Sequence, residues 1–174
     1  MDISVVIPLY NEAESLPELF SWIERVMKEH NYTYEVIFVN DGSTDNSWEV
    51  IEELKQRSPH VRGIKFRRNY GKSPALYCGF AEAQGDVVIT MDADLQDPPS
   101  LLPQMLAMIE SQDCDNVATR RVNRKGEPPI RSFFARCFYK LMRRLSNIDI
   151  ADGARDYRLM SRAMVDSILS VSEY

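Results

Sequence analysis

Short apolar runs alternate with amphipathic segments along the chain as far as Arg121. The runs are rich in Val and Ile, which predicts buried β-strands. These strands are expected at Ile3–Ile7, Glu35–Asn40, Val61–Phe66, Val87–Met91 and Asn116–Arg121. Between them, apolar residues recur at helical spacing. The corresponding helices are expected around Leu16–Met27, Trp48–Leu54, Ser73–Gln84 and Pro98–Gln112. Asn11 and Glu14 are expected to cap the first helix.

The alternation of strands and helices, joined by short connections, predicts an α/β fold with a doubly wound, mainly parallel sheet flanked by helices. The pattern changes after Arg121. A polar, basic loop over Val122–Pro129 precedes apolar residues at helical spacing over Ile130–Leu145, with Arg and Lys on the other faces. We interpret this segment as a basic amphipathic helix whose apolar side packs either in the core or on a membrane. A short strand at Tyr157–Ser161 and a last helix around Met164–Leu169 complete the pattern.

The composition favours one globular domain over residues 1–174. A chain of 174 residues with 44% hydrophobic residues can bury one core and is short for two. The three cysteines are odd in number and lack C-x-x-C spacing, so neither a disulfide framework nor a zinc site is predicted. No apolar run reaches the length of a membrane-spanning helix.

The charge is distributed unevenly along the chain. The formal net charge is -5, yet the stretch from Arg120 to Arg144 contains nine Lys and Arg residues against one acidic residue, Glu127. The rest of the chain has 12 basic and 25 acidic residues. A cationic patch on an acidic body suits a phosphate group or an anionic surface, or it is simply solvated.

Two carboxylates follow the apolar run Val87–Met91. Asp92 and Asp94 are two residues apart, so in an extended chain they point to the same side and repel each other. A divalent cation relieves that repulsion, and hard oxygen ligands suit Mg²⁺ or Mn²⁺. The alternative is ordinary turn chemistry at the end of a strand, with Asp97 as a helix cap before Pro98.

A second group of polar and aromatic residues follows the first two predicted strands. Tyr10, Glu12 and Asp41 are expected at the same edge of the sheet as Asp92, since ligands of α/β sheets bind at the carboxyl ends of the strands. An aromatic ring can stack on a base, and carboxylates can accept hydrogen bonds from base N–H groups and ribose hydroxyls. The alternative is a strand-to-helix turn at Asp41 with Tyr10 as a covering side chain.

Five segments occur in the same order as the motifs of a known family. They are Val5–Glu12, Val39–Asp45, Arg68–Lys72, Met91–Pro99 and Asp156–Arg162. Together they resemble the family 2 glycosyltransferases of the Rossmann-like GT-A fold. Within that family the chain is most similar to polyprenyl-phosphate glycosyltransferases, the dolichyl-phosphate mannosyltransferase and bactoprenol glucosyltransferase type. The resemblance covers essentially the whole chain.

The resemblance implies a role for particular residues. The nucleoside is expected to contact Pro8, Tyr10, Glu12, Asp41 and Asp92. The metal and the donor diphosphate are expected at Asp92, Asp94 and Gln96. Phosphate or acceptor contacts are expected from Arg120, Arg131, Arg136 and Lys72. Asp156 would face the acceptor, where inverting relatives place a base, so Asp94 and Asp156 are the expected catalytic residues. Arg155 and Lys72 depart from the usual pattern, since many relatives have Gln in place of Lys72.

The implied activity is a metal-dependent, inverting transfer of a hexose from UDP- or GDP-hexose to a polyprenyl phosphate. It would take place at the cytoplasmic face of a membrane, with Mg²⁺ or Mn²⁺ as cofactor, no nucleic acid and a possible homo-oligomer. Relatives continue into amphipathic and transmembrane helices, so we expect the chain to be truncated before them. One alternative is a family 2 enzyme acting on a polysaccharide or other sugar. Another is a non-catalytic module that binds nucleotide or anionic lipid.

Overall fold

The computed structural model describes residues 2–112, 114–120 and 154–171. Its strands are β1 Asp2–Leu9, β2 Thr33–Asn40, β3 Val61–Lys65, β4 Val87–Thr90, β5 Asn116–Arg120 and β6 Ala154–Ser161. Its α-helices are α1 Leu16–Glu29, α2 Ser47–Arg57, α3 Lys72–Glu82, α4 Leu102–Gln112 and α5 Arg162–Ser170, with a 3₁₀ turn at Pro99–Leu101. The sheet has the order β3-β2-β1-β4-β6-β5. The predicted α/β fold with a mainly parallel sheet is therefore confirmed.

The sheet is parallel from β3 to β4, and β6 is antiparallel to β4. The chain first builds outward from β1 to β2 and β3, then crosses back so that β4 lies on the other side of β1. Such a change of direction opens a crevice at the carboxyl ends of the strands. The fold therefore places its natural binding crevice beside the ends of β1, β2 and β4.

The central strands are buried on both faces, which explains their continuous apolar sequences. Along β1, Ile3, Val5 and Ile7 pack into one core with the apolar sides of α1 and α2. Val6 points to the opposite face and packs into a second core with residues of α3 and α5. Each helix thus covers one face of the sheet with the apolar stripe that its sequence predicts.

The chain divides into two compact units. The larger contains residues 1–117 and 156–174, and the smaller contains residues 118–155, of which the structure describes 118–120 and 154–155. The basic amphipathic helix predicted over Ile130–Leu145 lies outside the described residues. No helix in the described part of the chain is both long enough and apolar enough to cross a membrane.

One expectation about a helix start and one alternative interpretation were wrong. Asn11 does not cap α1, which begins at Leu16. Asn11 instead has a positive φ of 57°, and its side-chain oxygen accepts a hydrogen bond from the backbone N–H of Thr44 at 2.8 Å. Its side-chain amide therefore connects two loops and does not cap the start of a helix. Asp97 does not cap the helix after Pro98 either, because the residue before the 3₁₀ turn is Pro98 itself.

Candidate functional site

The ends of β1, β2 and β4 bring the predicted residues to one edge of the sheet. Leu9 at the end of β1 pairs with Asn40 at the end of β2, and the N–H of Asp41 continues the ladder to the carbonyl of Leu9 at 2.9 Å. On the other side of β1, the N–H of Met91 donates to the carbonyl of Val6 at 3.1 Å. The loops that follow these strands must therefore be neighbours.

A cavity of about 310 Å³ opens at this edge. Six residues expected to bind nucleotide or phosphate line it: Pro8, Tyr10, Glu12, Asp41, Lys72 and Asp92. The remaining lining residues are Leu9, Asn69 and Gly71. The Tyr10 ring is 44% exposed, so it is open to stacking by a planar ligand. The fold thus brings together side chains that are far apart in sequence, in the combination that a nucleoside requires.

Asp41 fixes the wall of this cavity. Its side chain is buried, and its two oxygens accept hydrogen bonds from the backbone N–H groups of Tyr70 at 2.7 Å and Gly71 at 2.8 Å. Gly42 has a φ of 70°, and a Cβ there would lie 2.3 Å from the carbonyl carbon of Arg68. A side chain at residue 42 would therefore push the loop away. Asp41 and Gly42 together hold residues 68–71, the segment that immediately precedes Lys72.

A second set of hydrogen bonds connects the β1–α1 loop to the β2–α2 loop. The backbone N–H of Glu12 donates to Oγ of Ser47 at 3.1 Å, and the N–H of Ala13 donates to Asp45 at 3.2 Å. Although burial opposes it, hydrogen bonds from Ser47 and Ala13 hold the pKa of Asp45 below its usual value. Asp45 therefore stays ionised and keeps Glu12 at the cavity.

In the acidic loop after β4, backbone N–H groups donate hydrogen bonds to the side chains of two of the loop's own aspartates. Asp97 is buried, and its Oδ2 accepts a hydrogen bond from the N–H of Asp92 at 3.2 Å. Oδ1 of Asp94 accepts from the N–H of Gln96 at 3.1 Å, while the Asp94 and Gln96 side chains are exposed. Leu95 between them has a φ of 61°. The loop thus turns sharply and presents Asp94 and Gln96 to solvent.

Asp156 meets the acidic loop through the antiparallel ladder. Thr90 of β4 pairs with Arg158 of β6, and the Thr90 hydroxyl donates to the carbonyl of Asp156. Extending that register by two residues sets Asp92 opposite Asp156. Nζ of Lys72 lies between them, 2.5 Å from Oδ1 of Asp92 and 2.8 Å from Oδ2 of Asp156.

These contacts shift the pKa values of Asp156 and Lys72 in opposite directions. The hydrogen bond from Lys72 lowers the pKa of Asp156, and Arg158, 4.0 Å away, acts in the same sense. Burial would lower the pKa of Lys72, but the hydrogen bonds to Asp156 and Asp92 outweigh it and raise it. Both groups are therefore ionised near neutral pH.

Of the phosphate ligands expected on the basic stretch, Arg120 lies within the described residues. It is exposed at the end of β5, in the smaller unit. Arg131 and Arg136 lie outside the described residues. Their roles stay predictions.

Residues 4–169 match the family Glycosyl transferase family 2. The chain belongs to this family. CsbB of Bacillus subtilis (strain 168) is 39% identical over 171 residues, which is 98% of this chain and 51% of that protein. The prophage bactoprenol glucosyl transferase homolog of Escherichia coli (strain K12) is 36% identical over 99% of this chain and 56% of its own length. The chain thus spans about half the length of the curated relatives it matches.

Solved structures of glycosyltransferases share the fold of this family 2 chain. The mannosyltransferase PcManGT from Pyrobaculum calidifontis, in complex with GDP-Man and Mn²⁺, superposes with a TM-score of 0.66. The match covers 95% of this chain and 46% of that protein at 21% identity, so it shows the fold alone. The GT-A prediction is confirmed.

The solved Pyrobaculum mannosyltransferase contains Mn²⁺, so the residues of this chain can be compared with the ligands that such an ion prefers. No group of three or more His, Cys, Asp and Glu side chains that could hold a metal occurs among the described residues. Mg²⁺, however, is commonly held by one or two carboxylates and completed by substrate phosphates. The carboxylates of Asp92 and Asp94 have the hard oxygen atoms that such an ion prefers, and Asp92 pairs with the Lys72 ammonium at 2.5 Å.

Sequence reasoning missed three supporting residues of the family 2 site. Asp97 was considered only as a helix cap, although it holds the backbone of Asp92. The buried Tyr157 donates from its hydroxyl to the carbonyl of Pro98 at 3.0 Å, which anchors the end of the acidic loop to β6. Asn69 lines the cavity. The motif Arg68–Lys72 was the signal for Asn69, whereas nothing in the local sequence indicated the partner of Tyr157.

Proposed function

We propose that this chain contains the donor site of a glycosyltransferase that moves a hexose from a nucleoside diphosphate to a polyprenyl phosphate at the cytoplasmic face of a membrane. The observation that carries the proposal is the cavity in which Tyr10, Glu12, Asp41 and Asp92 lie together. We infer the acceptor from the relative that is named bactoprenol glucosyl transferase homolog. The cationic stretch from Arg120 to Arg144 supports a lipid phosphate and an anionic membrane surface as partners.

Each wall of the cavity has a part in donor binding. The exposed ring of Tyr10 would stack on the base of a UDP- or GDP-hexose, and the Glu12 carboxylate would accept hydrogen bonds from base or ribose. Asp41 acts on the same ligand through the backbone, because its oxygens hold Tyr70 and Gly71 in place. Pro8 completes the floor beside them.

Asp92, Asp94 and Gln96 would hold Mg²⁺ or Mn²⁺. The metal, when bound, would neutralise negative charge on the departing diphosphate. Asp94 and Gln96 are exposed on a sharp turn, so they can reach an ion without moving the buried Asp97. The Mn²⁺ in the Pyrobaculum mannosyltransferase complex supports this choice of metal.

Asp156 would face the acceptor. A phosphate monoester with a second pKa of about 6 is largely ionised near neutral pH and needs little help from a base. Asp156 would then orient the acceptor rather than take its proton. Attack from the side opposite the diphosphate would invert the sugar carbon.

Donor binding is tested with nucleotide and metal alone. We expect UDP or GDP to bind at least about tenfold more tightly with Mn²⁺ than with a chelator, because carboxylate and phosphate oxygens share the ion. Asp94→Asn should abolish that difference in calorimetry, whereas Glu110→Gln, an exposed acid on α4, should keep it. Nucleotide binding that is equally tight with chelator, in wild type and Asp94→Asn alike, would contradict the metal assignment.

The acceptor is tested with radiolabelled nucleotide hexose, Mn²⁺ and the full-length protein. Label should appear on polyprenyl phosphate and not on the matching polyprenol, since only the phosphate arrives ionised. Asp156→Asn should slow turnover less than Asp94→Asn. Label on a polysaccharide with none on the lipid phosphate would overturn the acceptor and leave a family 2 enzyme of another specificity. Nucleotide or lipid binding without any transfer would favour a non-catalytic module.

A further inference from the structure

A lysine ammonium occupies the space between two carboxylates at the candidate site. Lys72 is the first residue of α3, Asp92 follows β4, and Asp156 lies on β6. Three separate elements therefore contribute to the contacts of the Lys72 ammonium. Carboxylates that face each other across an antiparallel pair repel. Lys72 supplies a positive charge that reduces this repulsion.

These ion pairs are open to ligands. The side chains of Lys72, Asp92 and Asp156 are 40%, 41% and 54% exposed. Ion pairs at that exposure add little to stability, so exchanging one partner for another costs little. Lys72 and Asp92 also line the cavity that would hold the nucleotide, and a bound diphosphate would come close to both.

The backbone and the ammonium of Lys72 are held differently. The neighbouring N–H of Gly71 donates a hydrogen bond to Asp41 at 2.8 Å, and this bond holds the backbone at the start of α3. The side chain is a flexible stem with a compact charge at its end and three donors. Lys72 can therefore change partners while the cavity wall stays in place.

We propose that Lys72 is a built-in counter-ion that competes with the divalent cation for Asp92. In the ligand-free protein it pairs with both Asp92 and Asp156. It gives up Asp92 when a divalent ion binds there, and the freed ammonium then pairs with the diphosphate of the nucleotide. The inference rests on the proposed function, since it assumes a metal at Asp92.

Exchange of this kind makes metal and nucleotide bind cooperatively. Without nucleotide, an incoming ion has to displace Lys72 from Asp92. With nucleotide, the diphosphate gives Lys72 another anion, so the ion meets less competition. Each ligand must then raise the affinity of the other by the same factor. Lys72 would thereby favour loading the metal together with the donor over loading the metal alone.

The experiment measures Mn²⁺ binding by the electron paramagnetic resonance signal of free Mn²⁺, with and without saturating UDP or GDP. Lys72→Met removes the charge and keeps most of the stem, and Lys72→Gln is a second variant in case the first does not fold by circular dichroism. We expect both to bind Mn²⁺ alone about tenfold more tightly than wild type, since a unit charge next to the ion is gone. The enhancement of Mn²⁺ binding by nucleotide should shrink in both.

Lys65→Met is the matched control. Its ammonium lies 5.2 Å from the centre of the Trp48 ring and contacts neither carboxylate, so Mn²⁺ affinity should not change. If wild type binds nucleotide with Mn²⁺ but the Lys72 variants bind Mn²⁺ alone no better, the counter-ion role is overturned and the proposed function stands. If no protein binds Mn²⁺ with or without nucleotide, both are overturned.

Discussion

Asp41 illustrates how a single side chain can shape a cavity by holding backbone groups. Sequence reasoning expected a carboxylate that accepts hydrogen bonds from a nucleoside. In the structure, both oxygens accept backbone N–H groups of the β3–α3 loop. Each of the two oxygens accepts one of these donors. Asp41 thus shapes the cavity wall, and through Gly71 it positions the start of α3.

Asp41→Asn tests this role. An amide keeps the size of the side chain but presents an NH₂ group to one backbone N–H, so one hydrogen bond is lost. Hydrogen bonds to charged groups contribute about 1.5–3 kcal/mol, which corresponds to roughly 10- to 100-fold faster opening of the loop. Hydrogen exchange of the Tyr70 and Gly71 amides should accelerate by that factor.

Asn46→Ala is the control for the Asp41 measurement. Asn46 precedes α2 and makes no side-chain cap hydrogen bond, so the Tyr70 and Gly71 amides should exchange at wild-type rates. Unchanged protection of both amides in Asp41→Asn would mean that other contacts hold the loop.

Asp92 and Asp94 were proposed from a local signal, an apolar run that stops in acid. The structure confirms the strand, which is β4, while the role of the two carboxylates stays a prediction. Lys72 and Asp156 were found only through the family resemblance. Their contact depends on the pairing of β4 with β6, where the Thr90 hydroxyl donates to the carbonyl of Asp156, 66 positions away, and no local pattern encodes it.

At the level of elements, the contact between α3 and β1 determines how closely the helix approaches the sheet. Gly79 lies on the buried side of α3, and a Cβ there would lie 2.3 Å from Cγ1 of Val6. Val6 is fully buried in the second core. The helix that begins with Lys72 therefore reaches its position because residue 79 has no side chain.

Gly79→Ala should destabilise the fold despite the better helix propensity of Ala. Overpacking costs about 1–3 kcal/mol, against a propensity gain of roughly 1 kcal/mol. We expect a net loss of about 1 kcal/mol in the free energy of urea unfolding. Adding Val6→Ala should be less than additive, because the smaller residue makes room for the new methyl group. Strict additivity would mean that the two sites do not contact.

Elements were predictable because strands and helices carry different apolar periods. The buried strands were read from their Val and Ile runs, and α1 from the spacing of Leu16, Leu19 and Ile23, all of which are buried. The start of α4 was displaced by a 3₁₀ turn at Pro99–Leu101. Such boundaries depend on hydrogen bonds such as that from Tyr157 to Pro98, which periodicity does not reveal.

Across the molecule, the edge of the sheet opposite the site is held by a network around Glu35. The Ser4 hydroxyl and the Gln84 N–H each donate to Oε1 of Glu35 at 2.7 Å, and Arg62 donates to Oε2 at 2.9 Å. Arg62 also binds Glu82 at 2.7 Å. The network thus connects β1, β2, β3 and the end of α3. It stabilises the sheet without contacting the ligand cavity.

The network predicts how stability depends on pH. Burial raises the pKa of Glu35, but hydrogen bonds from Arg62, Ser4 and Gln84 outweigh it and hold that pKa below its ordinary 4.5. A carboxyl group with a lowered folded-state pKa stabilises the protein fully above its unfolded pKa. It loses that contribution as the pH falls through the folded value. Wild type should therefore lose stability on acidification below about pH 4.5.

Glu35→Gln isolates that contribution. At pH 7 it should lower the free energy of unfolding by about 2 kcal/mol, since a half-buried charged hydrogen-bond acceptor is lost. The difference from wild type should shrink below pH 4.5, where the wild-type carboxyl also becomes neutral. Urea unfolding at several pH values measures both effects. Glu82→Gln, which removes the exposed partner of Arg62, should cost no more than about 1 kcal/mol. Parallel pH profiles for wild type and Glu35→Gln would mean that Glu35 titrates alike in the folded and unfolded chain, and that the network contributes through packing alone.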